Sequence, residues 1–375
     1  MTGSRMTVLM LIAAAMFVTN AGATAVAEDV TFIGSYDTGI ASYVAVSGNY
    51  AYVIDDVNGL VVLDVSDKEA PVVAGSYDAV EDACSVAISG NYAYVTDKYD
   101  GLVIVDVSDK EKPVRTGNYD VRGYAYAVVV SGDYAYVADR SNGLVIVDVS
   151  DKEEPVCVGR YRVERDAHGV AVSEDYVYVV DYNNGLVIVN VSNKEQPVFA
   201  GSYNLEGWSV GVAVSGDYAY VASGYDGLAI VDVSDAGVPE LAGTYDTTPH
   251  VETVIVSGDY AYVTDTDDGL SIVDVSDAEA PELAGSYDTE GDAHAVAVSG
   301  DYAYVADGGK GLVILHVGAT ATPTRVAATV SPETTPTPET TTAPVKSPES
   351  EGPGFGGVFA VAGLLAIAYL MRRQG

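Results

Sequence analysis

Cysteine is nearly absent from this sequence: Cys84 and Cys157 are the only two in 375 residues. Two cysteines cannot staple a loop-rich scaffold, so an apolar core must hold the fold. Positive charge is scarce as well. Lys and Arg total 18 against 54 Asp and Glu, a formal charge of −36. Such a surface repels phosphate backbones and anionic lipid, which excludes nucleic acid as a partner, and it suits salty surroundings that screen self-repulsion. Tryptophan occurs once and phenylalanine five times, so aromatic character rests on 28 tyrosines. No long pattern of apolar residues at helical spacing occurs, which excludes a helical solenoid. No nucleophile elbow, phosphate-binding loop, HExxH or dinucleotide fingerprint is read from the chain, so neither a catalytic residue nor a cofactor is expected.

Long apolar runs are confined to the two ends. Arg5 precedes Val8 to Val18, and small residues then fit cleavage sites at Ala21-Gly22-Ala23 and Ala25-Val26-Ala27. Residues 1–27 are therefore expected to be a secretory signal peptide, too short in its apolar run to be an anchor. At the other end, Phe355 to Met371 is apolar apart from Tyr369 and is followed by Arg372-Arg373. A helix there would just reach across a bilayer and leave the arginines inside. Before it, residues 319–352 carry blocks such as Thr334-Thr335-Pro336-Thr337-Pro338. They cannot bury a core and are expected to form a disordered, extended stalk.

Between the ends the chain repeats. Gly-Leu pairs begin at Gly59, Gly101, Gly143, Gly185, Gly227, Gly269 and Gly311, each 42 residues from the next. Each unit holds four short runs rich in Val, Ile and Tyr, separated by turn signals. In the second unit these are Ser85 to Ser89 (A), Tyr92 to Thr96 (B), Leu102 to Val107 (C) and Val114 to Tyr119 (D), with a two-residue turn at Gly90-Asn91. A period of 40 to 45 with four strands is the signature of propeller blades. An all-β, seven-bladed propeller of four-stranded blades is expected over 28–318. The last unit stops after strand C, whereas Phe32 to Tyr36 matches strand D. The N-terminal strand should therefore pair with Leu312 to Val317, closing the ring and covering two exposed edges.

Strand C spells Leu102-Val103-Ile104-Val105-Asp106 and Leu144-Val145-Ile146-Val147-Asp148, with close variants in the other units. This resembles the LVIVD-repeat family of surface propellers, which implies the fold and little about ligand. Pro353-Gly354-Phe355, set between the stalk and the apolar run, resembles the PGF-type C-terminal sorting signal of archaeal surface proteins. That resemblance implies that residues 353–375 are removed and replaced by a lipid. A permanent transmembrane helix is the other reading. Either places the protein at the outer face of the cell membrane, attached by tail or lipid.

The repeat also serves as an internal control, because a residue present in every unit is explained by folding. Twenty-one tyrosines are of that kind, and the Asp that precedes the Gly-Leu turn in six of the seven units is expected to be a turn former. Antiparallel blades put the A–B and C–D loops on one face and the D–A and B–C loops on the other. What remains after subtraction gathers on the D–A and B–C face: Tyr43, Tyr99, Tyr124, Tyr126, Tyr182, Tyr225, Trp208, His168, His250 and His294, with Arg122, Arg140, Arg162 and Arg165 around blades three and four. The opposite face, with Lys68, Lys110, Lys112, Lys152 and Lys194, reads as solvated surface. The ligand-binding candidates are Arg122, Tyr124, Tyr126, Arg140, Arg162, Arg165, His168, Tyr182 and Trp208. Cations beside aromatic platforms suit an anionic sugar or a peptide carboxylate. Asp166 with His168, Asp292 with His294, and His250 with Glu252 stand two apart, a spacing that puts both side chains on one strand face, but two ligands do not complete a metal site. Cys84 and Cys157 fall on inner and outer strands of different blades, too far apart to bond.

The expected function is a surface-anchored, non-catalytic propeller that binds an envelope glycan or surface protein through this face. A lyase or hydrolase with a His/Asp site at the channel mouth, and a purely structural envelope component, are the alternatives.

Overall fold

The structure, a computed structural model, describes residues 30–318 except 79, 81, 165, 206, 225, 226, 248 and 249. The expected signal peptide, stalk and sorting tail lie outside the described residues, as do Arg165 and Tyr225. Seven four-stranded antiparallel sheets form the blades, and the A strands of successive blades pack around a central channel. In the third blade the strands are Ala125–Ser131 (A), Tyr134–Asp139 (B), Gly143–Asp148 (C) and Val156–Tyr161 (D). The seventh blade takes its outer strand from the N-terminus: Thr31–Tyr36 pairs with Leu312–His316, from Thr31 opposite His316 to Tyr36 opposite Leu312. Closure by the N-terminal strand, expected from the phase of the repeat, is thus found in register. At the seam Ala41 N donates to Gly308 O at 2.9 Å, and Gly308 N returns a bond to Ala41 O at 3.1 Å.

The LVIVD pattern follows from burial on both faces. Along strand C, Leu102 and Ile104 face the third blade, while Val103 and Val105 face the first. The same alternation in strand B sends Tyr94 forward and Ala93 and Val95 back. A strand packed on both sides must be apolar throughout, and each fully buried Val, Leu or Ile contributes roughly 1.5–3 kcal/mol. The Asp residues do form turns: Asp97 Oδ1 accepts from the backbone N–H of Tyr99 and of Asp100, both at 2.8 Å. Asn190, whose sequence context is a glycosylation sequon, accepts from Ser192 N at 3.0 Å in the equivalent of the Asp106–Ser108 turn.

The lysine-bearing face is not simply solvated. Lys68 lies 4.8 Å from the ring centre of Tyr302, Lys110 5.4 Å from Tyr50, Lys152 5.6 Å from Tyr92 and Lys194 5.6 Å from Tyr134. Each ammonium also donates to a carbonyl in its own blade, at Val65, Val107, Val149 and Val191. These lysines reach over tyrosines of the preceding blade and staple four of the interfaces by cation–π attraction. In the fifth and sixth blades Ala236 and Ala278 stand at that position. Of the five lysines, Lys112 is simply exposed.

Candidate functional site

Strand A carries the feature that builds the site. In six blades its pairing with strand B skips one residue, at Ser42, Cys84, Tyr126, His168, Val210 and Glu252. A β-bulge of this kind breaks the two-residue alternation and re-aims one side chain. The equivalent in the seventh blade, His294, immediately precedes its strand. All seven lie 42 residues apart and line one cavity of about 470 Å³ at the channel mouth. Two of these seven positions are clamped by the preceding blade: Thr96 Oγ1 donates to Tyr126 O and Thr264 Oγ1 to His294 O, each at 3.2 Å. Both threonines are fully buried and replace an Ile, Val or Ala of the other blades.

Aromatic rings form a terrace along one side of this mouth. Tyr126 stacks on His168 with centroids 4.4 Å apart, His168 meets Tyr182 at 4.7 Å, and Tyr182 runs parallel to Trp208 at 6.5 Å. Three blades contribute, through their bulges, one B–C turn and one D–A segment. Gly224 makes room for the last ring: a Cβ there would lie 1.8 Å from Trp208 Nε1. Ser209 N donates to Tyr182 O at 3.1 Å, which fixes the fourth and fifth blades together beneath the terrace. Arg140 borders it, with Nε 3.4 Å from Asp166 Oδ2 and Nη1 3.5 Å from Tyr126 Oη. Burial holds the His168 imidazole below its ordinary pKa, with Asp166 opposing, so the neutral ring is the form the stack favours. Since the unfolded chain takes up that proton more readily, the ring gives up part of this stability as pH falls through the ordinary histidine range of about 6.5.

The candidate residues divide into two groups. Tyr126, His168, Tyr182, Trp208 and Arg140 come together at the terrace. Arg122 and Tyr124 instead line a separate notch of about 320 Å³ on the rim, with Lys98, Tyr99, Asp120, Gly123 and Ser141. Arg162 is exposed on its D–A segment and lines neither cavity. The proposed pairs do not converge on a metal. Asp166 is engaged by Arg140, and His250 Nδ1 lies 2.5 Å from Asp267 Oδ2 on the exposed rim while Glu252 turns into the channel. The bulge separates them, because the extra residue rotates the chain between positions that would otherwise share a face. Among the described residues no cluster of three metal-ligating side chains occurs. Burial raises the Glu252 pKa, against the pull of His294 in the next blade. Cys84 lines the same cavity, its thiol pushed up to about 11 by burial; it and Cys157 are free cysteines.

One motif escaped the sequence reading. Gly207-Trp208-Ser209-Val210-Gly211 has the Gly-x-Ser-x-Gly spacing of a nucleophile elbow. It enters a strand rather than turning from strand to helix, and Ser209 is fully buried. It lacks the exposed hydroxyl that an elbow exists to present. The bulge ring was also missed, although its signal was available: it is the strand-A position at which residue type changes most from unit to unit.

Comparison with known proteins agrees with this architecture. Seven stretches match the LVIVD repeat, at residues 38–79, 81–121, 122–163, 164–205, 206–247, 250–289 and 290–327. Residues 352–374 match the PGF-CTERM motif. No curated protein matches the chain. Among solved structures, the computationally designed Ika8 protein superposes with a TM-score of 0.59 at 7% identity, covering 76% of this chain and 98% of its own. The β-propeller domain of Cps50 (Swd1) from Myceliophteria thermophila gives 0.61 at 12%, covering 76% and 99%. BamB from Moraxella catarrhalis gives 0.54 at 16%, covering 74% and 83%. At these identities the likeness is one of fold alone.

Proposed function

The chain belongs to the LVIVD-repeat family, and from that footing we propose that it is a non-catalytic binding protein of the cell surface that holds an envelope saccharide on the terrace. The observation that carries this reading is the run of four rings, of which Tyr126 and His168 line a cavity of about 470 Å³ and Tyr182 and Trp208 continue the row beside it. Sugar rings present flat C–H faces that pack on aromatic side chains; His168 is flanked by Tyr126 and Tyr182, so a sugar meets the edges of the inner rings and the free faces at the ends of the row, and such a pocket takes one or two sugars at a chain end. A C-terminal sorting motif fits a surface protein. The chain also leaves the ring at Val317, whose N–H bonds to Asp301 O in an A–B turn, on the face opposite the mouth.

Calorimetric titration of the full chain with purified envelope polysaccharide tests the reading. Each stacked ring is worth about 1 kcal/mol, so Tyr182→Ala and Trp208→Ala should each weaken binding roughly five-fold, and together about thirty-fold. Affinity unchanged in the double variant would sink the proposal. A second reading, a hydrolase or lyase, has one observation in its favour: Glu252, with its raised pKa, shares the cavity with His294. New reducing ends or unsaturated products in the same incubations, lost in Glu252→Gln, would establish it instead.

A further inference from the structure

The rim notch between the second and third blades holds a residue kept against its backbone preference. Arg122 has φ +62°, the left-handed region that non-glycine residues avoid. The next residue, Gly123, could adopt that conformation freely, yet it is packed against the Asp139 carboxylate, where a Cβ would lie 2.1 Å from Oδ1. Asp120 Oδ1 accepts the Arg122 backbone N–H at 2.7 Å and locks the turn. Strain of this kind persists at sites where a side chain is needed in one place. Here it stands Arg122 beside Lys98, with Tyr99 and Tyr124 packed edge to face at 6.2 Å, the two residues 69% and 42% exposed. Asp120 also lines the notch, and Asp82 stands 3.9 Å from Lys98. Lys98 lines both this notch and the channel mouth, so the two are neighbours.

We propose that the notch is a second subsite that takes the carboxylate or sulfate group of an acidic sugar, in the same saccharide whose other rings lie on the terrace. The proposal rests on the saccharide reading above and adds a charge requirement to it. Guanidinium offers a planar fork of donors that matches either anion. Long-range electrostatics cannot mimic the effect, because a protein of formal charge −36 repels anionic chains. A preference for the acidic form must come from local cations.

The test compares oligogalacturonic acid with its neutral methyl ester, and dextran sulfate with dextran, by titration of the full chain and of Arg122→Gly and Trp208→Ala. The acid or the sulfate should bind roughly ten- to a hundred-fold more tightly than its neutral partner, and which of the two does so identifies the anion. Arg122→Gly should erase that preference, leave the neutral affinity in place and raise Tm by about 2 °C through relief of the left-handed strain. Trp208→Ala should weaken acidic and neutral forms alike. Equal affinity for acidic and neutral forms overturns the notch and leaves the terrace standing. So does an Arg122→Gly variant that keeps the preference or melts lower than the parent, since Arg122 would then be structural. No binding of any of these saccharides overturns the acidic-sugar assignment and counts against the saccharide reading with it.

Discussion

Deleting residues 28–36 should turn a cooperatively melting ring into an aggregating one. Strand C of the seventh blade, Leu312–His316, would lose the partner that pairs with it from Tyr36 to Thr31. Ile33 and Tyr36 would leave the core between the seventh and first blades, where they pack with Ala41, Val53, Leu312 and Ile314. The bare edge would then offer its N–H and C=O groups to any other chain. The loss is at the seam, so no neighbouring blade can slide over to replace it. A fall in Tm of more than 10 °C, or precipitation before melting, is the expected outcome of calorimetry. A circular permutant that carries residues 30–37 after Gly318 should recover the parent's melting curve, because it supplies the same strand from the other end. An unchanged melt after deletion would refute closure by the N-terminal strand.

The other large effect is steric. Strand D of the second blade contains Gly117, at which a Cβ would lie 2.3 Å from the Lys152 carbonyl oxygen of the third blade. The same approach recurs at Gly34 to Lys68 O and at Gly201 to Ala236 O, at 2.2 and 2.1 Å. These glycines let the outer strand of one blade touch the C–D loop of the next, so the backbone itself must move to admit a methyl group. Gly117→Ala should cost about 3 kcal/mol, seen as a drop in Tm of roughly 5 °C or more. Gly132 gives the contrast. It sits in an A–B turn with φ +60° and open space around its Cβ position, so Gly132→Ala should cost only about 1 kcal/mol, from left-handed strain. If the two variants melt together, the interface is looser than these contacts state.

The ring, its seven blades and its closure were legible because the sequence contains seven copies of its own control. Whatever recurs every 42 residues had to serve the fold, and the truncated last unit pointed to Phe32 to Tyr36. The same subtraction found Tyr126, His168, Tyr182 and Trp208. It did not find their arrangement. Alternation along a strand places Asp166 beside His168 and His250 beside Glu252, but the bulge adds a residue that alternation does not count. The lysines failed for a related reason. Lys110 and Lys152 belong to turns by sequence, whereas their ammonium groups act on tyrosines of another blade, a contact that only the closed ring creates. Arg122 was found by its charge and its loop. Its left-handed backbone, and the notch it shares with Tyr99, depend on how Gly123 packs against Asp139.

The central claim is that ligand meets this protein at the mouth lined by the six bulge residues and His294. A backbone-resolved NMR titration with envelope saccharide tests it most directly. Shifts should concentrate at residues 124–127, 167–169, 182, 208–210 and 224, and weaken toward the A–B turns at Gly90, Gly132 and Gly216. Shifts centred on those A–B turns, or spread evenly over both faces, would contradict the account.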